Sequence, residues 1–114
     1  MITRYREGEK LSRIVVHNDT VYLCGQVAND YEADVSEQTR QVLARIDEHL
    51  AEVGSDKNKM LSCIVYVKNL DDMPLVNKEW GEWLKDSPKP SRTGVIADLA
   101  NEKILVEISV VAAN

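Results

Sequence analysis

An amphipathic helix lies between strand-like segments near the middle of this chain. Between Asp34 and Val53 the apolar residues recur every three or four positions, which places them on one face of a helix. They are Val42, Leu43, Ile46, Leu50 and Val53. Asp34 and Glu37 have the spacing of an N-terminal capping box, and Gly54 is a suitable stop. The apolar face of such a helix needs a sheet or another helix to cover it, so isolated strands or a bare helix are excluded.

Strand patterns surround this helix and a second one. We predict strands at 13–17, 20–25, 59–69, 92–99 and 104–112, and helices at 34–53 and about 73–85. Asp71 and Asp72 are expected to cap the second helix, with Pro74 in its first turn. The run at 59–69 is apolar at most positions, which predicts a central strand buried on both faces. No element is assigned to the polar segment 1–10.

The predicted order of elements is β-β-α-β-α-β-β, in which each helix connects two strands. Such connections favour a mixed sheet with both helices packed on one face. The expected fold class is therefore α+β, in a single domain that spans residues 1–114. Because the chain has no Phe and only 5% aromatic residues, its core must rely on aliphatic side chains, and self-association would add stability.

Charge, cysteine and histidine content argue against several classes of partner. The net charge is −5 and the basic residues form no run, which argues against nucleic acid as the main partner. Cys24 and Cys63 lie in apolar runs without metal-binding spacing, so we expect buried, reduced thiols in a cytoplasmic protein and no metal. His17 and His49 have no reactive neighbour at a telling distance and are assigned no role. No apolar run is long enough to span a membrane, and without a glycine-rich phosphate loop no nucleotide cofactor is expected.

Two charged residues are candidates for chemistry. Arg92 follows Pro-Lys-Pro-Ser, and these prolines restrict the backbone in front of it. From this motif alone, Arg92 is equally compatible with holding a carboxylate and with an ordinary surface ion pair. Glu107 alternates with Val106 and Ile108 in the last strand, so it faces either solvent or a pocket in which it activates a water molecule.

Five short motifs occur in order along nearly the whole chain. They are Gly25-Gln26, Glu37-Gln38-Thr39, Val76-Asn77-Lys78-Glu79-Trp80, Pro90-Ser91-Arg92 and Val106-Glu107-Ile108. The ordered set resembles the reactive intermediate deaminase family, RidA or YjgF, whose Pro-x-Arg signature matches the fourth motif. Within that family, the sequence is most similar to the shorter paralogues of the YoaB type.

The resemblance implies a chorismate-mutase-like fold assembled as a homotrimer, with ligand clefts between subunits. It also implies hydrolysis of enamines and imines such as 2-aminoacrylate to 2-keto acids and ammonia, without metal or cofactor. Arg92 would hold the carboxylate of a small 2-imino acid, helped by the backbone N–H of Gly94, and Glu107 would orient the attacking water. Asn77 and Gln26 would complete the substrate-binding residues.

Two positions depart from the well-studied deaminases of the family. Those proteins carry a Gly-Pro-Tyr-Ser segment whose Tyr lines the pocket, whereas this chain has Leu11 at that place. Gly94 stands where many members have Cys or Ser. Two other functions therefore stay open: a non-catalytic protein that binds small carboxylates, and an endoribonuclease, which the acidic composition disfavours.

Overall fold

Strands and helices alternate along the chain in the order that the sequence predicted, with one additional strand at the N-terminal end. The computed structural model describes all residues 1–114. The strands are β1 (Ile2–Glu7), β2 (Ser12–His17), β3 (Thr20–Gln26), β4 (Met60–Val67), β5 (Ser91–Ile96) and β6 (Val106–Ala113), and the helices are α1 (Val35–Glu52) and α2 (Met73–Trp83). The sheet order is β1-β2-β3-β6-β4-β5, and only the pair β4–β5 is parallel. This mixed sheet confirms the predicted α+β class.

The extra strand, β1, corrects the assignment of segment 1–10 as irregular. It pairs antiparallel with β2 at the edge of the sheet, and most of its side chains are exposed. Only Tyr5 packs against the core. An edge strand is held by backbone hydrogen bonds to one neighbour, so it does not need the alternating apolar pattern by which buried strands are recognised.

Helix α1 begins and ends as its sequence predicts. The Asp34 side chain accepts a hydrogen bond from the backbone N–H of Glu37 at 2.9 Å. The capping box is not reciprocal, because the Glu37 carboxylate instead accepts from Arg40 and Gln41. Gly54 follows the helix with φ +81°, a left-handed conformation that glycine adopts without strain.

Helix α2 starts differently from the prediction. A short 3₁₀ turn, Leu70–Asp72, leads into it, and Asp72 has helical angles with no side-chain cap, so the predicted Asp71 and Asp72 caps are wrong. The 3₁₀ turn supplies backbone hydrogen bonds at the point where a capping side chain would act. Pro74 lies in the first turn as expected, and the helix ends at Trp83.

The two faces of the sheet differ in what covers them. Helices α1 and α2 pack on what we call the covered face, and the opposite side is the open face. Nine apolar strand residues of the covered face are buried: Ile14, Val21, Leu23, Cys63, Val65, Val67, Val106, Ile108 and Val110. Open-face residues are half-buried or exposed: Val15, Tyr22, Ile64, Tyr66, Glu107, Ser109 and Val111. The predicted two-sided burial of β4 is therefore wrong within this chain, because helices cover one face alone.

A core of 20 buried residues lies between the covered face and the helices. Its members are almost all aliphatic, and Trp80 is its one aromatic residue. Cys63 is buried and Cys24 half-buried, both as free thiols. Burial raises the pKa of the Cys63 thiol to about 11, so this sulfur is protonated and unreactive at neutral pH. Neither helix has the length and apolar character needed to cross a membrane.

Candidate functional site

Arg92 of strand β5 lies against helix α2, where three side chains contact its guanidinium group. Its Nη2 donates a hydrogen bond to Asn77 Oδ1 at 2.6 Å and lies 3.5 Å from Met73 Sδ. The guanidinium carbon is 5.3 Å from the centre of the Trp80 ring, within the range of a cation–π interaction. Three residues of one helix thus orient a single guanidinium group.

The register of the parallel pair explains why Arg92 reaches α2. Arg92 pairs with Cys63, a buried covered-face residue, and side chains of paired residues leave on the same face of a sheet. Because β5 is the edge strand, the guanidinium group remains near solvent. Gly94 follows on the same face, where a Cβ atom would lie 3.4 Å from Met73 Cε. The absent side chain leaves the backbone of Gly94 open beside the arginine.

The charge of Arg92 has no counter-ion within the chain. Its partners are a neutral amide oxygen, a thioether and an aromatic ring, and no carboxylate lies within ion-pair distance. The ordinary surface ion pair, one of the two alternatives that the motif left open, is therefore wrong. An oriented, uncompensated guanidinium is suited to bidentate binding of a carboxylate.

Glu107 lies on the open face, against the backbone of β3. A Cβ atom built on Gly25 would be 2.1 Å from Glu107 Oε2, so the carboxylate occupies the space that a side chain at Gly25 would fill. Burial raises the pKa of Glu107. A carboxyl group with a raised pKa is a better proton acceptor at neutral pH than an ordinary glutamate.

Gln26 is nearly fully buried at the irregular end of β3. Its Nε2 donates to the carbonyl oxygen of Cys24 at 2.9 Å and lies 3.3 Å from Cys24 Sγ. The register of β3 against β6 shifts between Leu23 and Gln26, which turns the Gln26 side chain inward. Both of these partner atoms belong to Cys24, in the same strand as Gln26.

Within one chain, the predicted site residues form two separate groups. Arg92, Gly94 and Asn77 meet on the covered side of β5. Glu107 pairs in register with Tyr66, which is three residues from Cys63, the partner of Arg92, so Glu107 and Arg92 leave on opposite faces of the sheet. No single copy of the chain brings the arginine and the carboxylate together.

A cavity of about 380 Å³ lies at the C-terminal end of strand β3. Gly25 and Gln26 line it, and so does Leu11, the residue at the place of the family tyrosine. Tyr31, from the loop after β3, lines the same cavity. The sequence comparison did not single out Tyr31, because it lies in another segment from the family tyrosine. Met73 and Trp80 were also missed as neighbours of Arg92, although Trp80 belongs to the third of the five motifs.

Sequence and structure comparisons give the class of protein to which this fold and the oriented arginine belong. Residues 2–114 match the family described as "Endoribonuclease L-PSP". The chain is similar to a RutC family protein of Haemophilus ducreyi, with 38% identity over 99% of this chain and 97% of the relative. It is equally identical, 38%, to the RutC family protein YoaB of Escherichia coli, over 98% of this chain and 97% of that protein.

A solved structure agrees with these sequence relatives. A YjgF family member from Neisseria meningitidis superimposes with a TM-score of 0.96 at 33% identity, covering 100% of this chain and 95% of that one. The chain belongs to the RidA/YjgF family, also described as endoribonuclease L-PSP, and is similar to its YoaB-type members. The resemblance inferred from the ordered motifs is confirmed.

Proposed function

We propose that this protein hydrolyses enamines and imines of small 2-imino acids to 2-keto acids and ammonia, at sites that two copies of the chain complete. The observation that carries this proposal is the guanidinium group of Arg92, which is oriented by Asn77 and Trp80 and has no carboxylate partner. A small carboxylate ligand would supply the missing negative charge. The carboxylate of Glu107, on the opposite face, would then have to come from a neighbouring copy.

The reaction requires the protein mainly to position the substrate and a water molecule. Arg92 binds the substrate carboxylate, with Asn77 orienting the guanidinium group and the backbone N–H of Gly94 donating a further hydrogen bond. Glu107 accepts a proton from a water molecule as the water oxygen adds to the carbon of the protonated imine. The tetrahedral carbinolamine then loses ammonia, and the C=O bond of the 2-keto acid forms. Neither a metal nor a cofactor has a part in this proposal.

The open face supports a homotrimer with sites between subunits. Its centre is apolar, with Ile64, Tyr66 and Val111 only half-buried and Tyr22 44% exposed. Association through this face would bury these side chains and extend a core that lacks Phe. It would also place Glu107 of one protomer at an interface. The free thiols Cys24 and Cys63 support a reducing compartment, and we place the protein in the cytoplasm.

Mixing two inactive variants tests both the chemistry and the shared site. We expect Arg92→Ala and Glu107→Gln each to lower the rate of pyruvate release from enzymatically generated 2-aminoacrylate by about 10²- to 10⁴-fold. Unfolding and refolding the two variants together should restore roughly a quarter of the native activity, because one interface in four would then combine an intact Arg92 with an intact Glu107. Arg4→Ala, in an exposed arginine of β1, is the matched control and should keep native activity.

Two outcomes would contradict parts of this proposal. If the native protein does not accelerate 2-aminoacrylate hydrolysis over Arg92→Ala, the deaminase activity is wrong. If both variants are inactive and the mixture recovers nothing, the two groups do not act across an interface.

The second candidate function is binding without turnover, and the presence of Leu11 at the place of the pocket tyrosine favours it. In that case calorimetry would detect a 2-keto acid such as 2-oxobutanoate binding to the native protein and to Glu107→Gln alike. Binding would be lost in Arg92→Ala, and no native turnover would accompany it.

A further inference from the structure

A second cluster of arginines lies away from Arg92, where helix α1 meets the ends of β1 and β2. Arg6, Arg13 and Arg45 line a cavity of about 200 Å³ together with His49. Glu48 and Glu52 also line it, so three guanidinium groups and two carboxylates give this cavity a net positive charge. The chain as a whole carries −5, so the positive cavity is a local reversal of charge.

The charge of the cluster is only partly neutralised. Arg6 forms an ion pair with Glu52 at 2.6 Å, and Arg45 donates to the neutral Asn29 Oδ1 at 2.6 Å. Arg13 makes no side-chain hydrogen bond or ion pair in the structure, although it lines this cavity and the larger one beside Gln26. Two guanidinium groups, those of Arg13 and Arg45, therefore face the cavity without a bound carboxylate.

His49 supplies an independent sign of a missing ligand. The residue is 5% exposed, and its Nε2 is the only buried side-chain nitrogen or oxygen in the structure without a hydrogen-bond partner. A buried polar atom without a partner costs free energy that a ligand can recover. Burial lowers the pKa of His49, and the positive charges of Arg45, Arg13 and Arg6, which line the same cavity, act in the same direction.

The backbone at the cluster is in an unfavourable conformation. Arg6 has φ +53°, a left-handed conformation that is unfavourable for a residue with a side chain. Such backbone strain is found at binding sites more often than elsewhere in a fold.

We propose that Arg13, Arg45 and His49 form a binding site for a small oxyanion of the phosphate class. Phosphate offers three or more oxygens, enough for two guanidinium groups and one imidazole N–H at the same time. A monocarboxylate offers two oxygens and a single charge. This site is separate from Arg92 and does not depend on the proposed deaminase activity.

Calorimetric titration with inorganic phosphate at constant ionic strength tests the site. We expect binding to the native protein and a loss of affinity of about tenfold to 100-fold in Arg13→Gln and in Arg45→Gln, because each change removes a charge-assisted contact. Arg4→Gln, another arginine of the β1–β2 pair that lies outside the cavity, should bind phosphate like the native protein. Acetate should bind far more weakly than phosphate.

A second measurement uses the His49 imidazole, followed by NMR. Phosphate should shift its resonances and raise its pKa, since a neighbouring dianion favours the imidazolium form. The titration is then repeated with a phosphomonoester such as glycerol 3-phosphate in place of inorganic phosphate. Tighter binding of the ester than of free phosphate would show that the site takes the phosphate group of a larger metabolite, and equal or weaker binding would assign it to free phosphate.

Three results would overturn the proposal. The first is an absence of phosphate and ester binding in the native protein with unchanged His49 resonances. The second is equal affinity for acetate and phosphate. The third is an equal loss of affinity in Arg4→Gln and Arg13→Gln, which would indicate attraction to surface charge in general.

Discussion

The covered and open faces of the sheet both carry aliphatic strand residues, but their surroundings differ. On the covered face, valines and isoleucines of β4 and β6 are buried by two helices of the same chain. On the open face, Ile64, Tyr66 and Val111 have no such cover. The comparison shows that folding of one chain covers the apolar residues of one face and leaves those of the other face partly exposed to solvent. The proposed catalytic pair is divided in the same way, with Arg92 on one face and Glu107 on the other.

The largest effect is expected on the covered side. Leu50 of α1 is completely buried, so Leu50→Ala should lower the free energy of unfolding by about 2–5 kcal/mol. Leu75→Ala removes the same atoms from a leucine of α2 that is 45% exposed and should change stability by less than about 0.5 kcal/mol. Urea denaturation followed by circular dichroism measures both. Similar losses of unfolding free energy in the two variants would mean that burial against the covered face does not determine stability at these helix positions.

A glycine-to-alanine change on the open face should affect activity more than folding. In Gly25→Ala the new Cβ overlaps the Glu107 carboxylate, which must rotate away, and we expect deaminase activity to fall by up to about 100-fold. Gly81→Ala is the control, because nothing lies within 4 Å of a Cβ at that helix position. The control should keep its activity and gain up to about 1 kcal/mol of stability. Native activity in Gly25→Ala would show that the observed position of Glu107 is not the active one.

A charge in the middle of the open face should separate the subunits. We expect Ile64→Asp to weaken self-association by about tenfold or more, because the aspartate would lose solvation at the interface. Leu70→Asp adds the same charge at a residue that is 67% exposed and outside the sheet, and it should assemble like the native protein. Light scattering across a dilution series measures the mass. A monomeric native protein would exclude the open face as an interface.

The smallest effect concerns the pH dependence of stability. Because burial raises the pKa of Glu107, its contribution to stability is fully present below the ordinary glutamate pKa and is lost as pH rises through the raised value. The Glu107→Gln side chain cannot ionise and avoids the cost of burying a charge. At pH 7 this variant should therefore be more stable than the native protein by less than about 0.5 kcal/mol. At pH 3.5, where Glu107 is itself protonated, the two proteins should be equally stable. Thermal melts at the two pH values compare them, with Glu102→Gln in an exposed turn as control. A native protein that is more stable than Glu107→Gln at pH 7 would contradict the assigned burial cost.

The sequence predicts the fold well where burial creates a pattern. The apolar spacing of α1 and the alternation of β6 both follow from contact with one core, and the structure confirms them. Strand β1 was not predicted, because an exposed edge strand does not contact the core and so needs no alternating apolar pattern. The absent Asp72 cap could not be foreseen, since a 3₁₀ turn and a capped start satisfy the same backbone groups.

The candidate site was predictable in its residue types but not in its arrangement. The Pro-x-Arg motif identified Arg92, and alternation set Glu107 apart from Val106 and Ile108. Which face Arg92 takes depends on the register of β5 against β4, and no local pattern encodes that register. The oxyanion cluster was missed for a similar reason, because Arg13 and His49 are far apart in sequence and meet only when α1 packs beside β2.

Strand β3 owes its orientation to a turn of two residues, Asn18 and Asp19, in which Asn18 has φ +56°. Since side chains alternate along a strand, a slip of β3 by one residue against β2 and β6 would exchange the residues on its two faces. Cys24 would then point into the core, and the glycine opening under Glu107 would be lost. A residue inserted at this hairpin must therefore be accommodated within the turn itself, because a shift of β3 would disrupt the core and the position of Glu107 together.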